Sequence, residues 1–417
     1  MKFEFIKKNY HIIAFILLYL SLLLGFFLDE NTTIGPKRDF AYALKHVALF
    51  EENFFYTFLN YDNVVGSRIS PIFYIIIYFF KKIFISIDLA RFALLNIFLL
   101  TQVFFYKCLK RIFYNKYLSD KKALFLLSSV IFLSPSFRSN SIWPESAILG
   151  LLLFLIGVYY FLKNEKKFNE KNIFLNIFFI AMASYIRPSY CLFAIFFFYK
   201  YFFEIKDKKL IAKIILLNAI IAFPAFYYVF ILDIFFISEG TLSSNYFNKI
   251  GVITPIIFFH TIPILFYKKF YLNALSLSID LKLFIIALIT SIIVFFNFDY
   301  NLDFAGGGIF LHASYFIFDN NLLFFVILPI LLFFVLKIIS ISYKTNLFIL
   351  ILLVLLTPQY HIFHKYYDPL VLILCFTIFD FNIGKDFFKK KIYISTVYGF
   401  YMFYYLITLL NYNYIKF

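Results

Sequence analysis

Residues Arg38–Tyr78 read RDFAYALKHVALFEENFFYTFLNYDNVVGSRISPIFYIIIY and form the longest polar interval of the chain. Asp39, Tyr42 and His46 recur at steps of three and four, so a helix here places a carboxylate, a phenol and an imidazole on one face. A turn that carries the cation Arg68 follows, and then a new apolar run begins. A polar helix and a basic turn between apolar runs indicate a functional site beside a membrane.

The composition around this interval is that of a membrane protein. Of 417 residues, 63% are hydrophobic, 24% are aromatic and only 15% are charged, which excludes a soluble globular surface. Apolar runs of about 15–22 residues alternate with short charged clusters, as expected for helices that cross a hydrocarbon core ~30 Å thick. The sequence therefore predicts an all-α polytopic membrane protein.

The basic residues follow the pattern of membrane topology. The formal net charge is +16, but lysines and arginines lie in short clusters between apolar runs, which favours the positive-inside rule over a nucleic-acid partner. Cys108, Cys191 and Cys375 are far apart in sequence, so they indicate neither a disulfide framework nor a metal cluster. The apolar run after the N-terminus is long and lacks a small-residue cleavage site, so we expect a retained first span.

Lys2, Lys7 and Lys8 predict a cytoplasmic N-terminus, so that the loop after the first span is extracytoplasmic. The segment 71–85 either crosses the membrane or lies in its outer interface. If it crosses, the basic stretch 107–122 falls outside, against the charge rule, so we favour the interface. With that choice we expect about 13 transmembrane helices.

Hydropathy and charge also predict how the chain is organised. We expect one integral-membrane domain, 1–417, with no separate soluble part. Within it we distinguish an extracytoplasmic first loop with juxtamembrane helices, 29–88, a transmembrane module, 89–267, and a C-terminal transmembrane module, 268–417.

The predicted outer loops are short, and their polar residues lie near the membrane. Carboxylates for proton transfer and cations for a phosphate leaving group meet there on one face. The candidate site residues are Arg38, Asp39, Tyr42, His46, Arg68, Arg138, Glu145, Arg187, His361, His364, Lys365 and Tyr366.

Several polar residues of these loops also have a purely structural interpretation. Asp29 and Glu30 end a span, and Arg138 and Arg187 serve equally well as interfacial anchors. His361 and His364 stand three residues apart without a third ligand nearby, which favours contact with a phosphate or a headgroup over metal binding. We therefore predict no metal site and no required cofactor.

The first loop resembles that of the lipid-linked-sugar glycosyltransferases of the C superfamily, especially the protein O-mannosyltransferase and aminoarabinose-transferase branch. Asp39–Tyr42 reads DFAY where the family shows Asp-Glu-x-Tyr, and Arg68–Pro71 reads RISP where it shows a basic residue beside Pro-Pro-Leu. Phe40 thus replaces an acid, and one proline replaces two. The resemblance covers roughly residues 36–190 and places Glu145 at the acid of the family's Pro-Asp loop.

This resemblance implies transfer of a sugar from a polyprenyl-phosphate donor on the extracytoplasmic side of a bacterial inner membrane. Asp39 would be the general base, and Glu145 would orient the acceptor or assist it. Tyr42 and His46 would line the sugar pocket. The cations that would hold the phosphate or the lipid are Arg38, Arg68, Arg138, Arg187 and Lys365, with His361, His364 and Tyr366 beside them.

Two other functions remain open at this point. A glycan polymerase or ligase that uses diphosphate-linked oligosaccharides would rely on the later loops, around Arg187 and His361. A flippase or transporter would need polar faces within the spans, and the sequence offers few. The expected partners are a polyprenyl-phosphate sugar, a glycan or lipid acceptor and membrane lipids, with no nucleic acid.

Overall fold

The computed structural model describes residues 2–33, 35–65, 70–114, 120–164, 168–226, 245–268, 277–302, 306–383 and 385–414. Within these ranges the chain forms helices joined by turns and loops, and it contains no β-strand. The predicted all-α fold is thereby confirmed for the described chain. Arg68 and most of the predicted outer loop after Asp233 lie outside the described residues.

Internal contacts divide the chain into two compact units. The first comprises Met1–Glu239 and Tyr398–Phe417, and the second comprises Gly240–Val397. The last helix of the chain begins in the second unit and ends in the first. Hydropathy does not show that the chain comes back to the first unit. The modules 89–267 and 268–417 follow hydropathy alone and stay predictions.

The helices of the first unit are mostly short, and several are separated by single residues or by tight turns. They are α1 (Lys2–Phe27), α2 (Gly35–Glu52), α3 (Phe54–Leu59), α4 (Tyr61–Val65), α5 (Pro71–Phe84), α6 (Ile87–Phe98), α7 (Leu100–Leu109), α8 (Lys121–Ser129), α9 (Pro135–Ile142), α10 (Ser146–Leu162), α11 (Glu170–Ile186), α12 (Cys191–Glu204) and α13 (Lys208–Phe226).

The second unit contains longer apolar helices and a structured loop. Its helices are α14 (Tyr246–Lys268), α15 (Leu277–Asn297), α16 (Gly308–Phe318), α17 (Leu322–Ile339), α18 (Tyr343–Leu355), α19 (Leu370–Cys375), α20 (Lys385–Lys389) and the first part of α21 (Lys391–Tyr414).

Seven helical segments of the described chain are long and apolar enough to cross a membrane, or eight if one bent pair counts as a span. The bent pair is α9 with α10, whose axes differ by 112°. The seven segments are Asn9–Phe27, Ile87–Tyr114, Lys208–Phe226, Tyr246–Tyr267, Ile279–Asn297, Leu322–Leu355 and Lys391–Asn411.

The expected count of about 13 spans is not confirmed. The run 123–134, which hydropathy predicts as a span, overlaps the nine-residue helix α8 and the 3₁₀ turn that follows it. The runs 322–339 and 347–357, predicted as two spans, lie largely within one helical segment, Leu322–Leu355. The described helices therefore give fewer candidate spans than the apolar runs, because hydrocarbon content alone does not show where a helix bends or ends.

The predicted interfacial segment 71–85 forms helix α5, which begins behind the N-cap Ser70. At a rise of 1.5 Å per residue its 14 residues extend about 21 Å, less than a ~30 Å hydrocarbon core. Its inner face, with Phe73, Tyr74 and Ile77, is buried. These dimensions are compatible with the interfacial prediction.

The centre of the first unit is the close packing of α10 against α11. A Cβ on Gly157 would lie 2.7 Å from Cδ1 of Ile180, so only glycine permits this approach. Asn176 of α11 donates a hydrogen bond to the carbonyl of Gly157 at 2.9 Å. A small residue and a buried amide thus hold the two helices together, as is common between membrane helices.

Candidate functional site

Helix α2 carries the predicted base, Asp39, and packs against the rest of the first unit through one apolar face. Its buried residues follow helical spacing: Pro36, Phe40, Ala43, Val47 and Phe50. The polar residues divide into two groups. Asp39 and His46 are half-buried, whereas Arg38 and Tyr42 are exposed, with 54% of Tyr42 accessible. The structure therefore does not place Tyr42 in a closed sugar pocket.

His46 joins α2 to α5. Its imidazole lies 4.9 Å from the ring of Tyr74, centroid to centroid. Desolvation, with a smaller effect from the charge of Lys45, lowers the pKa of His46 below its ordinary value. His46 is therefore neutral at pH 7, and its ring can donate or accept a hydrogen bond without adding positive charge.

Arg138 and Glu30 form an interior ion pair. Nε of Arg138 donates to Oε1 of Glu30 at 2.8 Å, and Nη2 donates to Oε2 at 2.6 Å. The same guanidinium donates to the carbonyls of Ser21 and Phe132, and Tyr405 donates to Glu30. Arg138 is 1% exposed. This geometry favours the structural interpretation of Arg138 over the predicted contact with a phosphate.

A second buried arginine, Arg91, was not among the predicted residues. Its guanidinium carbon lies 3.6 Å from the ring centroid of Trp143, and Nε donates to the carbonyl of Ile142. Asp88 accepts from Nη1 at 2.9 Å, and Asp29 from Nη2 at 3.4 Å. A signal did exist in the sequence, because an arginine inside an apolar run is costly unless it is paired.

Glu145 and Arg187 lie at helix ends of the first unit. Glu145 is 7% exposed and occupies the N-cap position of α10. Arg187 directly follows the last residue of α11. Its Cβ lies 3.2 Å from the position that a Cβ on Gly150 of α10 would occupy. Burial raises the pKa of Tyr190, and the nearby charge of Arg187 opposes that shift. Asp39, Glu145 and Arg187 each interact with a neighbouring group.

The first unit also contains an apolar cavity of about 430 Å³, which we call the groove. It lies between α11, α12 and α13, and the start of α5 also lines it. Its lining is Phe58, Ser70, Pro71, Ile72, Asn176, Ile177, Ile180, Ala181, Ser184, Tyr185, Pro188, Cys191, Ala194, Phe197, Phe198, Tyr201, Asn218, Ile221, Ala222, Pro224 and Ala225.

The groove has a mouth and a floor. We call the end lined by Pro188 and Cys191 the mouth, and the opposite end along α11 and α12, lined by Asn176 and Tyr201, the floor. The separation of Cys191 from Tyr201 along α12 corresponds to about 15 Å at the helical rise, roughly half of a ~30 Å hydrocarbon core. The groove therefore has the length and the apolar lining to take a hydrocarbon chain through one leaflet.

Two charged or polar elements adjoin the groove. Arg187 immediately precedes Pro188, which lines the mouth. Helix α5, whose first residues also line the groove, packs through Tyr74 against His46 of α2. The sequence did not predict the groove, because its walls come from helices that only the fold brings together.

The second unit has its own polar cluster, built on the loop after α18. His364 and His260 of α14 approach with their Nε2 atoms 3.1 Å apart. One ring must donate and the other accept in this hydrogen bond, so both cannot be protonated on these atoms. Desolvation lowers the pKa of His364 to about 3. His364 is therefore neutral at pH 7 and adds no positive charge for a phosphate.

The glycine segment 306–308 is ordered against this loop. All three glycines have positive φ, and the amide of Gly307 donates to the carbonyl of Ile362 at 3.0 Å. The hydroxyl of Tyr300 accepts a hydrogen bond from the amide of Ile362. The glycine segment is thus a fixed turn. His361, Lys365 and Tyr366 lie half-buried in the same loop, and each interacts with a neighbour.

No group of three or more His, Cys, Asp or Glu side chains that could hold a metal ion occurs in the described part of the chain. No protein-family model, no curated protein and no solved structure matches this chain. The resemblance to a glycosyltransferase family, and the roles that it implies, therefore remain predictions.

Proposed function

We propose that this chain is a membrane glycosyltransferase that moves a sugar from a polyprenyl-phosphate donor to a glycan or lipid of the cell envelope. The groove is the single observation that supports this proposal best, because it offers a hydrocarbon chain an apolar path beside a cation, Arg187. We infer that the protein resides in a bacterial inner membrane, with the reaction on the extracytoplasmic face.

In the proposed reaction, the hydroxyl oxygen of the acceptor attacks the anomeric carbon of the donor sugar. The bond between that carbon and the phosphate oxygen breaks, and the polyprenyl phosphate leaves with the electron pair. Asp39 accepts the proton of the hydroxyl, and the anomeric centre inverts. A half-buried carboxylate on a helix packed against α5 suits this task, since α5 also lines the groove.

The proposed division of labour follows the geometry of the first unit. Arg187 stabilises the phosphate as negative charge develops on it. Glu145, at the amino end of α10, orients the acceptor. His46 is neutral and serves as a hydrogen-bonding group. Arg138 is not assigned to the phosphate, because Glu30 and two carbonyls already engage its guanidinium.

The proposal is tested by replacing the base while keeping its shape. Cells without the protein are complemented with the unaltered chain, with Asp39→Asn or with Glu52→Gln, an exposed acid on the same helix. Mass spectrometry of envelope lipids and glycans then compares the four strains. We expect Asp39→Asn to lose the glycan product and to accumulate the lipid-phosphate sugar, and Glu52→Gln to match the unaltered chain.

Two results would contradict the proposal. Full product formation with Asp39→Asn would shift the chemistry to the later loops, as in a polymerase or ligase. A lipid-linked glycan that changes membrane side without any covalent product would indicate a transporter. Equal amounts of each variant in the membrane, measured by immunoblotting, are required for either conclusion.

A further inference from the structure

The groove ends in a polar floor that hydrocarbon does not replace easily. Oη of Tyr201 donates to Oδ1 of Asn176 at 3.1 Å, and Nδ2 of Asn176 donates to the carbonyl of Gly157 at 2.9 Å. Both side chains are buried. Separating them would leave buried polar groups without their hydrogen bonds, and a hydrocarbon chain that already lies in lipid gains no hydrophobic free energy to offset that cost.

Packing fixes the position of this floor. The Tyr201 ring lies against Phe161 at 5.8 Å and Phe168 at 6.5 Å, centroid to centroid. Gly157, beneath Asn176, has no room for a Cβ because Ile180 fills the space. The floor therefore stays in place when the groove is occupied.

The walls above the floor alternate between large and small side chains. Ile177 and Phe198 are large lining residues, whereas Ala181, Ala194 and Ala222 are small and leave recesses between the larger side chains. A branched chain fits such a wall better than a straight one, because its methyl groups fill the recesses and gain dispersion contacts. This relief favours an isoprenoid over the acyl chain of an ordinary phospholipid.

We propose that the groove is a ruler for the phosphate-proximal isoprene units of the donor lipid, and that the Asn176–Tyr201 pair is its stop. This inference rests on the proposed function. From the mouth beside Arg187, an extended chain reaches the floor after about 15 Å, half the hydrocarbon thickness. The rest of a long chain then leaves the groove sideways into the bilayer. The protein therefore recognises only the isoprene units nearest the phosphate, whatever the total length of the polyprenyl chain.

The test uses photoreactive polyprenyl phosphates of equal length that carry a diazirine at successive isoprene units. The unaltered protein is labelled in lipid nanodiscs, and the modified peptides are identified by mass spectrometry. We expect the first units to label residues near Pro188 and Ala225 and the following units to label residues near Asn176 and Tyr201. Units beyond the floor should label lipid, with protein labelling at background.

Tyr201→Ala removes the stop, so we expect protein labelling to extend by one isoprene unit, toward Phe161. Tyr199→Ala, on the exposed side of the same helix, should leave the pattern unchanged. Label that continues past the floor in the unaltered protein would overturn the inference, as would equal displacement of the probe by a straight-chain alkyl phosphate. Absence of any specific labelling by prenyl phosphates would instead refute the proposed function.

Discussion

Arg138 and Arg91 show how the surroundings of a residue decide its role. Both are buried in the first unit, and each is paired with a carboxylate. Arg138 contacts both oxygens of Glu30, whereas Arg91 lies over the Trp143 ring. Their charges are satisfied within the protein, so they hold helices together and leave phosphate binding to residues at the mouth of the groove.

Breaking the Arg138–Glu30 pair should strongly destabilise the protein. We expect Glu30→Gln to lower the free energy of unfolding by about 3–5 kcal/mol, because it leaves a buried guanidinium without its counter-charge. Glu51→Gln removes the exposed pair with Lys81 and should cost only about 0–1 kcal/mol. Thermal unfolding of both variants in detergent measures the difference, and equal shifts would contradict a structural role for Arg138.

Gly306 is a position where the backbone requires glycine. Its φ is +93°, and a Cβ would lie 2.8 Å from the carbonyl oxygen of Ile362 and against the hydroxyl of Tyr300. We expect Gly306→Ala to destabilise the second unit by about 1–3 kcal/mol.

The matched control is Gly399→Ala, since nothing lies within 4 Å of a Cβ there. In a helix this change should be neutral or stabilise by up to about 1 kcal/mol. Limited proteolysis of the loop around Ile362 and thermal unfolding report both effects. If Gly306→Ala unfolds like Gly399→Ala, the turn is not fixed in the way described.

At the level of elements, the loop after α18 is joined to α14 by two imidazoles. Unfolded histidine titrates near pH 6.5, whereas His364 in the fold has a pKa of about 3. Below pH 6.5 the unfolded state therefore binds a proton that the folded state does not. Stability contributed by neutral His364 is complete above pH 6.5 and decreases as the pH falls toward 3.

This contact predicts an acid-sensitive second unit. We expect the unfolding temperature in detergent to fall between pH 6.5 and about pH 4, and His364→Asn to make that fall shallower. His312→Asn serves as the control, because that ring is exposed and its Nε2 lies 2.6 Å from the carbonyl oxygen of Gly306. An identical pH dependence in all three proteins would contradict the assignment.

The sequence predicted elements better than it predicted their boundaries. Asp39, Tyr42 and His46 do lie on one helix, since amphipathic spacing over Gly35–Glu52 is strong. The predicted number of spans is not confirmed, since short apolar helices such as α8 satisfy hydropathy without the length to cross a membrane. The pairing of Arg138 with Glu30 joins residues 108 positions apart, a distance over which local pattern carries no information.

At the level of the whole molecule, the described chain consists of two helical units. The candidate chemistry of the first unit lies around α2, Glu145, Arg187 and the groove. The groove was not predictable, because its walls are the apolar faces of α11, α12 and α13, which look alike in sequence. Only the packing of these helices shows which faces meet and which leave a space.

The most direct test of the central claim is whether the groove holds the lipid. The protein is incubated with undecaprenyl phosphate in detergent, and bound lipid is counted by native mass spectrometry. Ala222→Phe fills the groove, whereas Ala219→Phe adds the same ring at an exposed position of α13 outside it. We predict one bound lipid for the unaltered protein and for Ala219→Phe, and none for Ala222→Phe. Undiminished binding to Ala222→Phe would contradict the account.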